Sequence, residues 1–290
     1  MTARQRRLVW GAIALTLAIT SLAILLRPLR KEQPFHVPDE AEAKAAGELF
    51  TNALRDRSRT ALAEQAGRFG LAAGQLDAIE GTSLAEPDDQ CGGRGAYLFR
   101  SDPGALPVAV VAPHRGADRD TGPIARSLFE ENRFASAAWN SAPRRGDQDC
   151  PYSRDITRLP THYLTAYSLA FARRYPGGRI VQIHGFDSER RESAAGRSAD
   201  AIVSDGSRQP SSRLLDVADC LSRAFPERRI AVFPGDADEL GATSNAQGQA
   251  LREAGFTGFV HLELSAPFRA HLVADAGARA AMARCLGTGL

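Results

Sequence analysis

Ile180-Val181-Gln182-Ile183-His184-Gly185-Phe186-Asp187 decides how this 290-residue chain is read. Three of its first four side chains are β-branched, so the run favours a strand. Apolar groups fall on both alternating sets of positions, which means burial on both faces rather than one. A strand of that kind belongs in a sheet covered by helices on either side. It ends in a histidine and a glycine, at the end where open α/β sheets place their ligands.

The pattern repeats outward. Further strands are expected over residues 96–100, 107–112, 134–139, 199–204, 229–233 and 258–264, with the opening one over 179–184. Helical periodicity lies between them at 122–132, 161–174, 211–225, 245–254 and 267–283. This alternation predicts a three-layer α/β domain over residues 95–290, with a mostly parallel or mixed sheet. Residues 39–94 read as a helical spacer and loop. Leu49, Phe50, Ala53 and Leu54 are at helical spacing, and Pro87 with Gly92-Gly93 marks the loop. Residues 27–38 (RPLRKEQPFHVP) read as a linker, charged and proline-bearing.

Residues 8–26 (LVWGAIALTLAITSLAILL) carry no charge. At 1.5 Å per residue a helix of that length reaches about 28 Å, close to the hydrocarbon thickness of a bilayer. A single transmembrane anchor is expected there, after a short basic stretch at residues 1–7. Ser21-Leu22-Ala23 resembles a cleavage site, but the apolar run continues past it, which favours a retained anchor. Arg4, Arg6 and Arg7 before the span nearly balance Arg27, Arg30 and Lys31 after it, so flanking charge does not orient it.

Cysteine usage does. Cys91, Cys150, Cys220 and Cys285 are even in number, well spread and without a Cys-x-x-Cys pair. With an export-like N-terminus they read as two disulfides in an oxidising compartment, placing the domain outside, in a periplasm. Sequential pairing is the simplest of three connectivities. The net charge of +2 is near balance, and the arginines are scattered, so nucleic acid is not an expected partner.

Chemistry is sought at the strand ends, because the chain has no nucleophile elbow, phosphate loop, dinucleotide turn or His-Glu-x-x-His helix. Three ends stand out. Val110-Val111-Ala112-Pro113-His114 runs into Asp118 and Asp120; the opening strand ends at His184; and Phe259-Val260-His261-Leu262-Glu263-Leu264 sets a carboxylate inside an apolar strand. Two imidazoles and one carboxylate make a three-donor zinc site with a fourth position open. His114, Asp118 and His184 are the expected ligands, with Asp120 as the alternative carboxylate. Glu263 is the expected base, since burying an ionised Glu without a partner costs several kcal/mol and asks for a reason. His261 shares its face and reads either as its neutral partner or as a rival ligand. Asp118 and Asp120 read equally as caps of the helix that follows.

Taken together, Pro113-His114 with its nearby carboxylate, His184 and Leu262-Glu263-Leu264 resemble the zinc carboxypeptidase superfamily, including N-formylglutamate amidohydrolases and related zinc hydrolases of small acyl-amino acids. The resemblance covers roughly residues 108–265. It implies zinc on the first His, the carboxylate and the later His, with the strand Glu activating water. One departure matters. The superfamily has His-x-x-Glu, and the residue three after His114 is Ala117, so Asp118 or Asp120 has to substitute, with Asp118 favoured.

Asn140-Ser141-Ala142-Pro143-Arg144-Arg145 resembles the superfamily's substrate-carboxylate clamp, which implies Asn140 with Arg144 or Arg145 on a substrate carboxyl group. Asn245 and Gln247, ahead of a helix, read as a second polar patch. The function expected is membrane-anchored hydrolysis of an amide bond in a peptide or acyl-amino acid. The competing reading is a hydrolase-like binding module that has lost its metal, which the Ala117 departure favours.

Overall fold

Nine strands make one mixed sheet in the computed structural model, which describes residues 34–55, 58–87 and 91–290. They are β1 Ala72–Gln75, β2 Gly81–Ala85, β3 Ala96–Arg100, β4 Leu106–Ala112, β5 Phe134–Trp139, β6 Arg179–Gly185, β7 Ala201–Ser204, β8 Ile230–Val232 and β9 Phe259–Leu264. Their order across the sheet is β1-β2-β3-β5-β4-β6-β9-β7-β8. The central four, β5-β4-β6-β9, run parallel; β1, β2 and β3 join antiparallel on one side, and β7 joins β9 antiparallel on the other.

Helices cover both faces. They are α1 Glu40–Ala53, α2 Arg59–Gly67, α3 Thr121–Glu131, α4 Tyr163–Arg174, α5 Ala194–Ser198, α6 Ser212–Ala224, α7 Ala246–Glu253, α8 Ala266–Ala274 and α9 Ala276–Leu286. One core joins α3, α6, α8 and α9 to Val108, Val110, Val181, Val260 and Leu262. The other joins α1, α2, α4 and α7 to Ala109, Val111, Ile180 and Phe259. The split follows from strand alternation, since successive residues face opposite layers. The expected three-layer α/β architecture is present, with a mixed sheet.

Two parts differ from expectation. The 39–94 segment, expected as spacer and loop, supplies α1 and α2 to the second core and pairs β2 with β3 in the same sheet. Its strands, AAGQ and GTSLA, hold almost no β-forming side chains. They are strands because of their partners, not their propensity. The expected helix over 267–283 is two helices. Asp275 breaks it by leaving helical φ/ψ and accepting from Gly277 N and Ala278 N to start α9.

Both disulfides are sequential, Cys91–Cys150 and Cys220–Cys285. The second ties α6 to α9 in the core, 65 residues apart in sequence. In the chain-entropy account a closed loop of that length stabilises by about 4 kcal/mol. The double variant Cys220→Ser/Cys285→Ser should lose roughly that amount in denaturant unfolding. A loss below about 1 kcal/mol would mean the unfolded chain is constrained by something else.

The anchor expected at residues 8–26 lies outside the described residues. Among the described residues, no helix is long and apolar enough to cross a membrane.

Topology sets the position of the site. From β4 the chain moves to β5 on one side, then returns for β6 on the other side of β4. α3, between β4 and β5, covers one face, and α4, between β5 and β6, covers the opposite one. The two connections part over the C-terminal ends of β4 and β6, leaving a crevice there.

Candidate metal centre

His114 leaves the end of β4, and His184 is the penultimate residue of β6. Glu263 lies on β9 directly opposite His184 in the parallel register. All three sit at the same edge of the sheet, and all are buried together with Asp118.

The spacing departure at Ala117 is absorbed by a turn. Both Ala117 N (2.9 Å) and Asp118 N (2.8 Å) donate to His114 O, as in one turn of helix. A helical turn returns residue i+4 to the side of residue i. Asp118 therefore comes back over His114 and is buried there, whereas Ala117 is exposed. Asp120 is not in the group. It has a positive φ of 72°, is half-buried and stands at the start of α3 without a side-chain cap bond.

Asp118 Oδ2 lies 3.3 Å from His114 Nδ1 and 3.2 Å from His184 Nδ1, and it accepts from Gly185 N at 3.3 Å. The remaining nitrogens also face acceptors. His114 Nε2 is 2.8 Å from Asp155 Oδ1, and His184 Nε2 is 3.4 Å from Gln182 Oε1. The Gln182 oxygen is identified by Asn245 Nδ2, which donates to it at 2.8 Å. A neutral imidazole has one N–H, yet each ring meets an acceptor at both nitrogens. A cation between the Nδ1 atoms and Asp118 removes that conflict. Both rings can then donate through Nε2 and offer the Nδ1 lone pair, as metal-bound histidines do.

The donor separations fit as well. Ligands about 2.0–2.2 Å from a tetrahedral zinc stand roughly 3.3–3.5 Å apart. His114, Asp118 and His184 are the candidate metal site, and two imidazoles with one carboxylate suit zinc.

Charge in the site follows from these contacts. Burial resists ionisation of Asp118 and Asp155, but hydrogen bonds win and hold both well below the usual carboxylate range, from His114 and His184 at Asp118 and from His114, Thr157 and Arg144 at Asp155. Burial also opposes charge on His114, and its two carboxylates overcome that and raise it. His184 shares Asp118, yet it is lowered, because burial and then the neighbouring His114 outweigh the carboxylate. Burial pushes Glu263 up to about 8, with the Asp118 charge adding to the effect.

Residues expected at the substrate end are divided by the structure. Asn140 closes β5 and is 2% exposed, and neither atom of its amide has a hydrogen-bond partner. Such orphaned amides are rare in native structures and mark a place for a ligand or water. Arg144 Nε donates to Asp155 Oδ2 at 2.9 Å, and its Nη1 lies 3.9 Å from Asp118 Oδ1. Arg145 is exposed. Of the two arginines, Arg144 is the one brought to the site. Asn245 and Gln247 back the centre from α7: Asn245 bonds Gln182, and Gln247 bonds Thr165 Oγ1 and Ile156 O.

Three contributors went unnoticed in the sequence. Asp155 bridges His114 and Arg144, and its only local signal is the cap it provides to Thr157 N. Gln182 is a polar side chain between Val181 and Ile183 in the middle of an apolar strand, which is signal enough. Arg269 is buried on α8 and donates to Leu264 O and Phe186 O, holding the chain just beyond β9 and β6.

No protein-family model matches the chain, and no curated protein matches it. Among solved structures it is similar to an N-formylglutamate amidohydrolase from Ralstonia eutropha JMP134, at 14% identity over 66% of this chain and 94% of that one, TM-score 0.41. It is also similar to a metallo-carboxypeptidase from Burkholderia cenocepacia, at 12% identity over 87% and 70%, TM-score 0.37. A succinylglutamate desuccinylase from Chromobacterium violaceum matches at 12% identity over 83% and 73%, TM-score 0.41. Likeness at this level carries no argument about activity, which has to come from the residues above.

Proposed function

We propose that this chain is a zinc-dependent hydrolase of an amide bond in a peptide or acyl-amino acid bearing a free carboxylate. One observation carries the reading: two buried imidazoles turn their Nδ1 atoms to one Asp118 oxygen while acceptors hold both Nε2 atoms.

A divalent cation on His114, Asp118 and His184 would act as a Lewis acid, polarising the scissile carbonyl and acidifying water. Glu263 is the proton carrier. Alone in its buried strand it keeps its proton to about pH 8, and positive charge brought to the neighbouring donors favours its ionised form. The carboxylate takes a proton from the attacking water and returns it to the leaving nitrogen, so one side chain serves both halves of the reaction. Asn140 offers the substrate an unused amide donor and acceptor. Arg144, whose guanidinium is already oriented by Asp155, offers a planar fork to the substrate carboxylate.

We place the domain outside a membrane, anchored through residues 8–26. The uncharged run supports the anchor, and the two disulfides support an oxidising compartment. Alkylating the protein in its native membrane without reductant should label none of the four cysteines. Four labelled thiols would reverse the orientation.

The enzyme itself is tested by metal content. Full-length protein purified in detergent should carry one tightly held zinc and hydrolyse N-acyl-amino acids, and chelation should stop the reaction reversibly. Metal-free protein that binds acyl-amino acids without cleaving them would support the binding module instead.

Arg144→Ala should lower kcat/KM on carboxylate substrates well over tenfold, since a buried charge pair left half-made costs on the order of 2–5 kcal/mol. Zinc content should not change. Methylating the substrate carboxylate should harm the parent similarly and the variant little further, because both changes remove one interaction. Equal activity on acids and esters would remove the clamp.

A further inference from the structure

One buried carboxylate takes no part in the mechanism. Glu86 follows β2, and its side chain is wholly buried. Taking such a group out of water is costly unless it is paired and hydrogen-bonded. Four donors offset that cost. Gly92 N and Arg94 N each donate at 2.8 Å, Arg94 Nη1 donates at 3.3 Å, and the Ser141 hydroxyl completes the set. The first three lie within eight residues of Glu86 and fold residues 91–95 back against it. Ser141 comes from 55 residues away, and it is the residue after Asn140.

The same loop brackets Asn140. Before it, Trp139 pairs with Ala96, the first residue of β3. Gly95 has a φ of 90° and sits so close that a Cβ on it would stand 2.8 Å from Trp139 O, a place only glycine takes without strain. After it, Gly95 N donates to Ser141 Oγ at 2.9 Å while the Ser141 hydroxyl donates to Glu86. A hydroxyl that accepts and donates at once has its direction fixed, and with it the backbone that carries it. The stretch is held again at Cys150, beyond Arg144, by the disulfide to Cys91. Neither atom of the Asn140 amide has a protein partner, so its backbone and packing are what aim it.

We propose that Glu86 is a positioning residue for substrate binding, which aims the Asn140 amide by gripping Ser141. The proposal deepens the hydrolase reading and rests on it for the substrate class. Glu86 and Ser141 lie outside the set of metal donors and the proton carrier, so losing the grip costs affinity rather than chemistry.

The experiment uses full-length protein and the N-acetyl-amino acid that it binds most tightly, with KM, kcat, Kd by calorimetry and zinc per chain measured together. Ser141→Ala removes the grip and leaves the buried charge its other three donors, which keeps the test available should Glu86→Gln not fold. KM and Kd should rise roughly three- to tenfold, the worth of one net hydrogen bond. Zinc content and kcat should hold, the pattern of lost ground-state binding. Glu86→Gln should act in the same direction, because its NH2 group meets an N–H donor whichever way the amide turns. With Asn140 already alanine, Ser141→Ala should add little, since both changes remove one contact with substrate.

Ser141→Ala at the parent's KM and Kd, or a rise that persists in full in the Asn140→Ala background, would overturn the positioning role and leave the hydrolase intact. A parent that binds N-acetyl-amino acids without cleaving them would overturn hydrolysis, and the Kd comparison would still decide this proposal. A parent that neither binds nor cleaves them would overturn both readings.

Discussion

Glu263→Gln retains the zinc and loses turnover, by roughly the 10²–10⁴-fold that a positioned acid–base group supplies. The amide has nearly the carboxylate's shape and can still fill the buried place opposite His184. It cannot accept a proton from water at neutral pH, so the step that makes the nucleophile slows while the donors for the cation stay as they were. Stability should rise or hold, because burial already resists charge at this position. The measurement is paired: kcat with a saturating acyl-amino acid, and zinc per chain by elemental analysis. Loss of the zinc would make Glu263 a ligand and void its role as base. Retained turnover would leave the proton with some other group.

His114→Ala and His184→Ala should each abolish stoichiometric zinc and bring hydrolysis to background. Losing an outer-shell partner commonly weakens a metal site 10–100-fold, and losing one of three direct donors has to exceed that. Each change also leaves Asp118 buried with one imidazole fewer to satisfy it. Asp118→Asn should behave like the histidine variants, whereas Asp120→Asn should bind zinc as the parent does. Binding of zinc by either alanine variant at the parent's affinity would show that the ion sits elsewhere.

How far the chain could be read depended on what kind of contact placed each group. β4, β6 and β9 were legible because strands buried on both faces must be apolar, so His114, His184 and Glu263 stand out against Val and Ile. Their parallel order then brings them to one edge. Asp155 was not legible, because it reaches His114 across 41 residues through a short turn of its own, Ile156–Arg158. Nothing near it in sequence states that partner. β1 and β2 were missed for a different reason: their Ala, Gly, Ser and Thr side chains carry no strand pattern, and the edge of β3 imposes one on them. The break at Asp275 was visible as a cap residue with a glycine two positions on, but the alanine-rich flanks on either side concealed it.

The facing positions of His184 and Glu263 on neighbouring parallel strands limit how this sequence can change length. Inserting or deleting one residue within β6 or β9 turns every later side chain to the opposite face, sending either the ligand or the base into the apolar layer beneath. Substitution within those strands keeps the frame; a one-residue indel does not. The turn from His114 to Asp118 is under no such constraint, because a helical turn brings residue i+3 or i+4 back to the same side. Length variation in this site is therefore confined to its loops, and a donor spaced four residues from His114 rather than three is the kind of difference such a scaffold can absorb.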